Sequence, residues 1–508
     1  MFRKLLSVSG FTLLSRITGF ARDALLAWTL GAGVMSDAFL VAFLFPNYFR
    51  AIFGEGTINP AFLPRYAALK AKGEDAAAAR FANQIFSWQM AAQVAILVLA
   101  MVFMPQLIKL VAWGWDERTP QFALTVSLAR VTFPYLILTL VAVQLSAMLN
   151  AIDRFWAAAA WSNLLNLSMI AALIAWHRFP NAAYAAAWGV LLGGVAQLVF
   201  ILWAGWKEGL WLRLSWPRWT PEVKEFFVAF GAVTIGAGSV VIAPFIDTLI
   251  ATLLPTGSRT VLYYADRINQ LPLGVLGIAV GTVLLPEMSA RLAKGDTSGS
   301  SAAQNRSAAM SLLLTLPFMA AFLVIPDTII RAIFLHGAFN PDAARLATWA
   351  LMAYGVGLPA MAMLRIVQAT FYARHDTLTP ARATVIALVS NIALKVLFVW
   401  GFDLGVAGLA LGTALGAWIN IAILTWTGHS RALLVIEAQF RHALPAALFA
   451  ALACGLGADV GAGLGAMTVM GTWRDVAALA AAMLCAGLAY GGAVLFFRRS
   501  LPLRGLAR

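Results

Sequence analysis

WAAAAWSNLLNLSMIAALIAW, residues 156–176, runs 21 residues without a charge. A helix needs roughly 20 apolar residues to cross the hydrocarbon core of a bilayer, and this stretch has that length. AAQVAILVLAMVF (91–103) and VAALAAAMLCAGLAYGGAVLFF (476–497) continue the pattern. Strands of a membrane barrel would be near 9–11 residues and would alternate apolar with polar, which no segment here does. The 508-residue chain is 61% hydrophobic and 11% charged, with mean hydropathy +0.82. A soluble protein carries about 25% charged residues, so this composition cannot cover a water-facing surface. The expected fold is an all-α polytopic membrane protein.

The formal charge of +14 invites a nucleic-acid reading, but its distribution argues against one. About 22 of the 36 Lys and Arg fall in alternate loops and the two termini, against about five in the other loops. That positive-inside bias predicts both termini in the cytoplasm and no nucleic-acid partner. Cys454 and Cys485 sit inside apolar segments and His177, His336, His375, His429 and His442 are scattered, so neither disulfide, metal nor cofactor is expected. The start, MFRKLLSVSGFTLLSRITGF, is read as leading into a first membrane helix: Arg16 interrupts its apolar run and no small-residue cleavage site follows.

Apolar stretches number about fourteen. The chain also repeats itself. LKAKGED (69–75) returns as RLAKGD (291–296), with the Lys-Gly pair displaced by 222 (294 − 72). Pro134, Gln144 and Asp153 recur as Pro359, Gln368 and Asp376, and Gly189, Gly193 and Trp203 as Gly412, Gly416 and Trp426. Six helices per copy is an even number, so the copies keep one orientation and form parallel repeats. The prediction is two six-helix lobes, 1–207 and 221–428, around a central cavity, with two extra helices at 440–500. Such an architecture suits alternating-access transport.

Charges inside the membrane carry the functional signal. Arg16, Arg22, Arg50, Lys109, Arg130, Arg267, Arg331, Arg365 and Lys395 lie within or at the ends of predicted helices. Lys109 and Arg331 are placed where a long side chain snorkels to the interface. The others cost on the order of 2.5–3.5 kcal/mol each at mid-membrane, so they must face protein or a wet cavity. SRITGFARDALLAW sets Arg16, Gly19 and Asp23 on one stripe, with Ser15 and Arg22 beside it. Further on, FLFPNYFRAIFGEGTINPAFLP (43–64) holds Asn47, Arg50 and Glu55, with Asp37 before it, and YYADRINQLPLG supplies Asp266 and Arg267. Arginine's planar fork suits a phosphate. Yet Asp23, Asp37, Glu55 and Asp266 match the arginines in number. Ion pairs that pin helices together therefore stand beside a cavity lining for a polar anionic substrate.

SRITGFARDALLAWTLGAG, SDAFLVAFLFPNYFRAIFGEGTINPAFLP and YYADRINQLPLGVLGIAVGTVLLPEMS closely resemble the bacterial lipid II flippases of the MurJ (MviN) type. These belong to the multidrug/oligosaccharidyl-lipid/polysaccharide exporter superfamily. The resemblance runs the full chain. It implies that Arg16, Arg22, Arg50 and Arg267 bind the diphosphate-sugar headgroup, that Ser15, Asn47 and Asp23 line the cavity, and that Asp37 and Glu55 gate it by ion pairing, with Asp266 beside Arg267. It implies that the last two helices form a groove for the lipid tail. Lipid-linked peptidoglycan precursor (lipid II) would move from the cytoplasmic to the outer leaflet of the bacterial inner membrane, driven by the membrane potential. Lipid II and membrane lipids are the implied partners, with other cell-wall synthesis proteins as candidates. Some members resemble sodium-coupled carriers, which makes Asp247, with Asp376, a candidate cation ligand.

Other readings share part of this evidence. A flippase for another lipid-linked oligosaccharide, or a drug/cation antiporter of the same superfamily, would have the same repeats; an arginine-rich cavity argues against the antiporter. A membrane enzyme using polyprenyl phosphate would need carboxylates or histidines in sizeable loops, whereas the longest loops (about 64–82, 207–224 and 290–308) read as basic or Ser/Ala-rich linkers. No P-loop is present, and no enzyme activity is expected.

Overall fold

The computed structural model describes residues 2–51, 58–279 and 283–501; Glu55 lies outside them. Among the described residues the secondary structure is helical, without a strand. The chain divides into two compact units, Met1–Thr260 and Val261–Arg508. The first holds α1 (Phe2–Leu30), α2 (Val34–Phe49), α3 (Asn59–Ala71), α4 (Asp75–Val102), α5 (Met104–Val111), α6 (Pro120–Thr132), α7 (Tyr135–Ala151), α8 (Phe155–Ala160), α9 (Ser162–Ile174), α10 (Ala182–Lys207) and α11 (Pro221–Ala251). The boundary falls in α12 (Ser258–Ala279). The second unit continues with α13 (Leu285–Ala293), α14 (Thr297–Val324), α15 (Pro326–Phe334), α16 (Pro341–Tyr372), α17 (Leu378–Val396), α18 (Gly405–Ser430), α19 (Ala438–Thr468) and α20 (Arg474–Phe496).

Ten helical stretches among the described residues are long and apolar enough to span a membrane. The other four predicted crossings fall on α1, α2, α11 and α12. Those same four helices, with Arg50 just past the end of α2, carry the described charges assigned to the candidate site apart from Asp376. α2 has only 16 residues, short of the roughly 20 a crossing needs.

Helix starts follow local chemistry. Thr119, Thr220 and Asn340 each precede a proline, and their side-chain oxygens accept from Phe122 N (3.3 Å), Val223 N (3.4 Å) and Ala343 N (2.8 Å). Each cap satisfies an amide that the first turn leaves orphaned, while proline at the next position gives up only a donor that has no partner.

The duplication is visible element by element. α4 recurs as α14 displaced by 222 (297 − 75), and α10 as α18 displaced by 223 (405 − 182). The repeated Lys-Gly motif ends a helix identically in both copies. Gly73 and Gly295 both have φ of 75°, a left-handed conformation that glycine adopts without a Cβ clash. Gly73 N bonds Lys70 O (3.1 Å) and Glu74 N bonds Leu69 O (3.0 Å). Gly295 N and Asp296 N repeat this to Leu292 O and Arg291 O, both at 2.9 Å. These are Schellman caps, closing the last turn's free carbonyls.

Small residues let the helices pack backbone to backbone, the main source of association where lipid removes the hydrophobic drive. A Cβ at Gly189 of α10 would meet Met169 Cα of α9 at 2.9 Å. Its repeat equivalent Gly412 lies on Lys395 of α17, and Gly416 on Asn391 at 2.8 Å. In the second unit α19 sets Gly457, Gly461 and Gly465 against the carbonyls of Cys485, Ala481 and Ala477 on α20. Ala443, Ala446 and Ala447 on the same helix pack on Leu312, Leu313 and Leu316 of α14.

Candidate functional site

In the first unit, a cavity of about 490 Å³ opens among α1, α3, α7 and α8 and the start of α9. Ser15 and Arg16 line it, as do Thr12, Asn59, Ser146, Asn150 and Ser162. Hydroxyls and amides thus stand beside one guanidinium on a wall that Val143, Phe155, Ala158, Ala159 and Trp161 leave mostly apolar. Ser162 Oγ lies 3.5 Å from Ser15 Oγ.

Arg22 and Asp23, two turns further along α1, have a different setting. Asp23 is 3% exposed. The Arg22 guanidinium donates to Asp23 Oδ1 through Nε (2.9 Å) and Nη2 (2.7 Å), and through Nη1 to Asn166 Oδ1 (2.8 Å). Asn166 Nδ2 then donates to Ser15 O and Thr18 Oγ1, both at 3.1 Å. Asn163, three residues earlier on α9, donates to Phe11 O (3.4 Å). This ladder ties α1 to α9. The Arg22–Asp23 ion pair itself lies within α1, and the bond from Arg22 to Asn166 is what joins it to α9.

Just past α2, Arg50 Nη2 donates to Asn47 Oδ1 (3.1 Å), one turn back. Asp37, buried to 2% exposure, accepts from Gly257 N (2.6 Å), Thr260 N (2.9 Å) and Thr260 Oγ1 (2.5 Å). A carboxylate near free amides at a helix start is favoured by charge-assisted hydrogen bonding and the helix dipole. Asp37 is therefore engaged by Gly257 and the first turn of α12 in this structure. Asp247 is half-buried on α11. Among the described residues no group of three or more His, Cys, Asp or Glu is placed to hold a metal ion.

In the second unit, Arg267 on α12 lies over the Tyr263 ring, 4.6 Å from its centroid, and donates to Tyr263 Oη (3.0 Å). Asp266 accepts from Gln270 one turn on. Asp376, the second candidate cation ligand, accepts from Thr379 N (2.9 Å), Thr379 Oγ1 (2.7 Å) and Arg431 (3.1 Å). The Thr379 amide and hydroxyl, with the Arg431 charge, hold its carboxyl below the usual carboxylate range. Lys395 is fully buried on α17.

The two residues at helix ends that are expected to snorkel also bond to protein there. Lys109 Nζ donates to Trp115 O (2.7 Å), closing the end of α5. Arg331 pairs with Asp475 (3.3 Å) at the start of α20. Sequence reading also passed over Asn59, Ser146, Asn150 and Ser162. Ser146 and Asn150 stand one turn apart within an apolar helix, and that i, i+4 polar pair was the available signal.

The chain matches the family described as "Lipid II flippase MurJ" over residues 26–473. A relative from Rhizobium tropici described as a probable lipid II flippase MurJ is 40% identical over 444 residues, covering 86% of this chain and 82% of the relative. A protein of the same description from Rhizobium meliloti (strain 1021) is 37% identical over 463 residues, covering 89% and 86%. Among solved structures, "Lipid II flippase MurJ, inward closed conformation" superposes with TM-score 0.80 at 23% identity, covering 99% of both chains. An inward-facing MATE family transporter of the MOP superfamily superposes with TM-score 0.70 at 17% identity, covering 82% of this chain and 95% of the other.

Proposed function

The chain belongs to the lipid II flippase MurJ family, and from that membership we infer that it flips lipid II from the cytoplasmic to the outer leaflet of a bacterial inner membrane. A diphosphate bearing sugars and a peptide cannot cross hydrocarbon unaided, whereas its polyprenyl tail stays in lipid. The protein need only shelter the headgroup, so the work is binding and alternating access, and no covalent step is required. In this reading residues 1–207 and 221–428 act as two six-helix lobes, and 440–500 supply a groove for the tail. Both termini face the cytoplasm, and the membrane potential drives the cycle.

The observation that supports this reading best is the cavity beside Arg16. A guanidinium that shares a cavity with Ser15, Ser162, Asn59 and Asn150 offers charge for a phosphate, and its neighbours offer hydrogen bonds for sugar hydroxyls. Its volume of about 490 Å³ lies within the 300–1,000 Å³ typical of ligand sites. Arg50 and Arg267 are assigned to the same headgroup, and Arg22 acts by fixing α1 on α9. If Asp37 gates, it must first release the three bonds it accepts from Gly257 and Thr260.

Depletion tests the function. In a cell with this protein as its sole flippase, lipid II should accumulate in the inner leaflet, followed by lysis. Normal exposure of the precursor at the outer leaflet would refute the reading. Turnover of a polyprenyl-phosphate substrate by the purified protein would replace it with an enzyme.

A further inference from the structure

Residues 210–219, LWLRLSWPRW, connect α10 to α11 without forming a helix. The segment lies along α4 as a strap, and α4 side chains satisfy its backbone. Arg213 N donates to Asn83 Oδ1 (2.8 Å), Ser215 N to Ser87 Oγ (2.9 Å) and Arg218 N to Gln84 Oε1 (2.8 Å). In the reverse direction Trp88 Nε1 donates to Arg218 O (3.2 Å). Trp219 packs edge-on to Trp88 and stacks on Phe227, with ring centroids 5.4 and 5.5 Å away. Irregular backbone beside a bilayer is tolerated only where its polar groups find partners of this kind.

With the backbone satisfied, the side chains face outward. Trp211 is 54% exposed, Leu214 69%, Trp216 84% and Trp219 60%. Three indoles within nine residues, next to the ends of two membrane helices, have the character of an interfacial belt. The charge is one-sided. The neighbouring acids are already engaged: Glu208 by Arg154 at 2.9 Å, and Glu222 and Glu225 by Arg65. Among the described residues neither Arg213 nor Arg218 is in an ion pair, and both are exposed.

We propose that the strap is a binding surface for anionic phospholipid headgroups: Arg213 and Arg218 take the phosphate charge while Trp211, Trp216 and Trp219 lie at headgroup depth. This goes beyond the movement of lipid II and does not depend on it. Its consequence is a linker between the repeats that is held to the bilayer surface and responds to leaflet charge.

The test uses the full-length chain in neutral detergent, with bound short-chain phosphatidylglycerol or phosphatidylcholine counted by native mass spectrometry. The wild type should prefer phosphatidylglycerol, and added salt should weaken that preference. Arg213→Gln/Arg218→Gln should lose at least one bound phosphatidylglycerol, weakening it roughly fivefold per arginine removed. Arg213→Lys/Arg218→Lys should keep it, and unchanged melting of both variants excludes misfolding. Trp216→Ala/Trp219→Ala should weaken both lipids alike. The proposal is overturned if the wild type binds the two lipids equally, or if the glutamine variant binds phosphatidylglycerol as the wild type does. Displacement of the lipid by inorganic diphosphate at matched concentration would place a soluble anion on the strap and equally overturn it.

Discussion

Arg16 and Arg22 share one helix, yet their surroundings give them different work. Arg22 is bonded to a nearly buried carboxylate and to Asn166, whereas Arg16 is exposed on a cavity wall. Removing one partner of a buried pair costs about 3–5 kcal/mol. Arg22→Ala should therefore lower the melting temperature of the purified protein markedly, and Arg22→Ala/Asp23→Ala should recover part of the loss. Arg16→Ala should lower melting less than Arg22→Ala does, and should abolish transport. Equal melting of Arg16→Ala and Arg22→Ala would remove the distinction drawn between them. Asp376 gives a pH test outside the membrane. Its carboxyl is held below the usual range by Thr379 and Arg431, so its contribution is complete above the ordinary carboxylate pKa of about 3.9. That contribution fades as pH falls through the lowered folded value. Asp376→Asn should melt below the wild type at pH 7, and the difference should shrink as pH falls below the ordinary carboxylate range.

At the scale of elements, α19 and α20 meet along Gly457, Gly461 and Gly465, where a Cβ would come within 2.5–2.7 Å of a backbone carbonyl oxygen. Neither carbonyl nor helix axis can yield locally, so Gly461→Val should separate this pair. Thermal unfolding should show a loss of at least 2 kcal/mol, and limited proteolysis should cut first between Thr468 and Arg474. Gly463→Val, with open space at its position, is the matched control and should leave both readouts near wild type. Features of this kind were legible in the sequence because they are periodic: apolar length, glycines four apart, and the repeat that carries the Gly73 cap onto Gly295. What was not legible depends on tertiary assembly. Asn59, Ser146 and Ser162 gather around Arg16 from different helices, and Asp37 finds its amide 220 residues away. Residues 210–219 read as a basic linker, because nothing local reveals that Asn83, Gln84 and Ser87 hold its backbone.

For the whole molecule, candidate headgroup arginines occur in both units, Arg16 and Arg50 in the first and Arg267 in the second, although Arg267 has Leu44 rather than an arginine at its repeat equivalent (267 − 223). Arg267 lies over Tyr263 at 4.6 Å, on a helix predicted to cross the membrane, where an arginine costs roughly 2.5–3.5 kcal/mol to place. We propose that headgroup binding is what this placement serves. Arg50→Ala and Arg267→Ala, each made separately in the full chain, should then fail to support growth after depletion of the wild type, with protein level unchanged. Reconstituted in vesicles, each should slow lipid II movement at least tenfold, the loss of about 1.4 kcal/mol expected when one charge-assisted contact to a phosphate is removed. Lysine at either position should restore only part of the rate, since a point charge lacks the paired donors of a guanidinium. If Arg50→Ala fails and Arg267→Ala supports full growth and full rate, headgroup binding belongs to the first unit alone. If both support growth, these arginines serve packing.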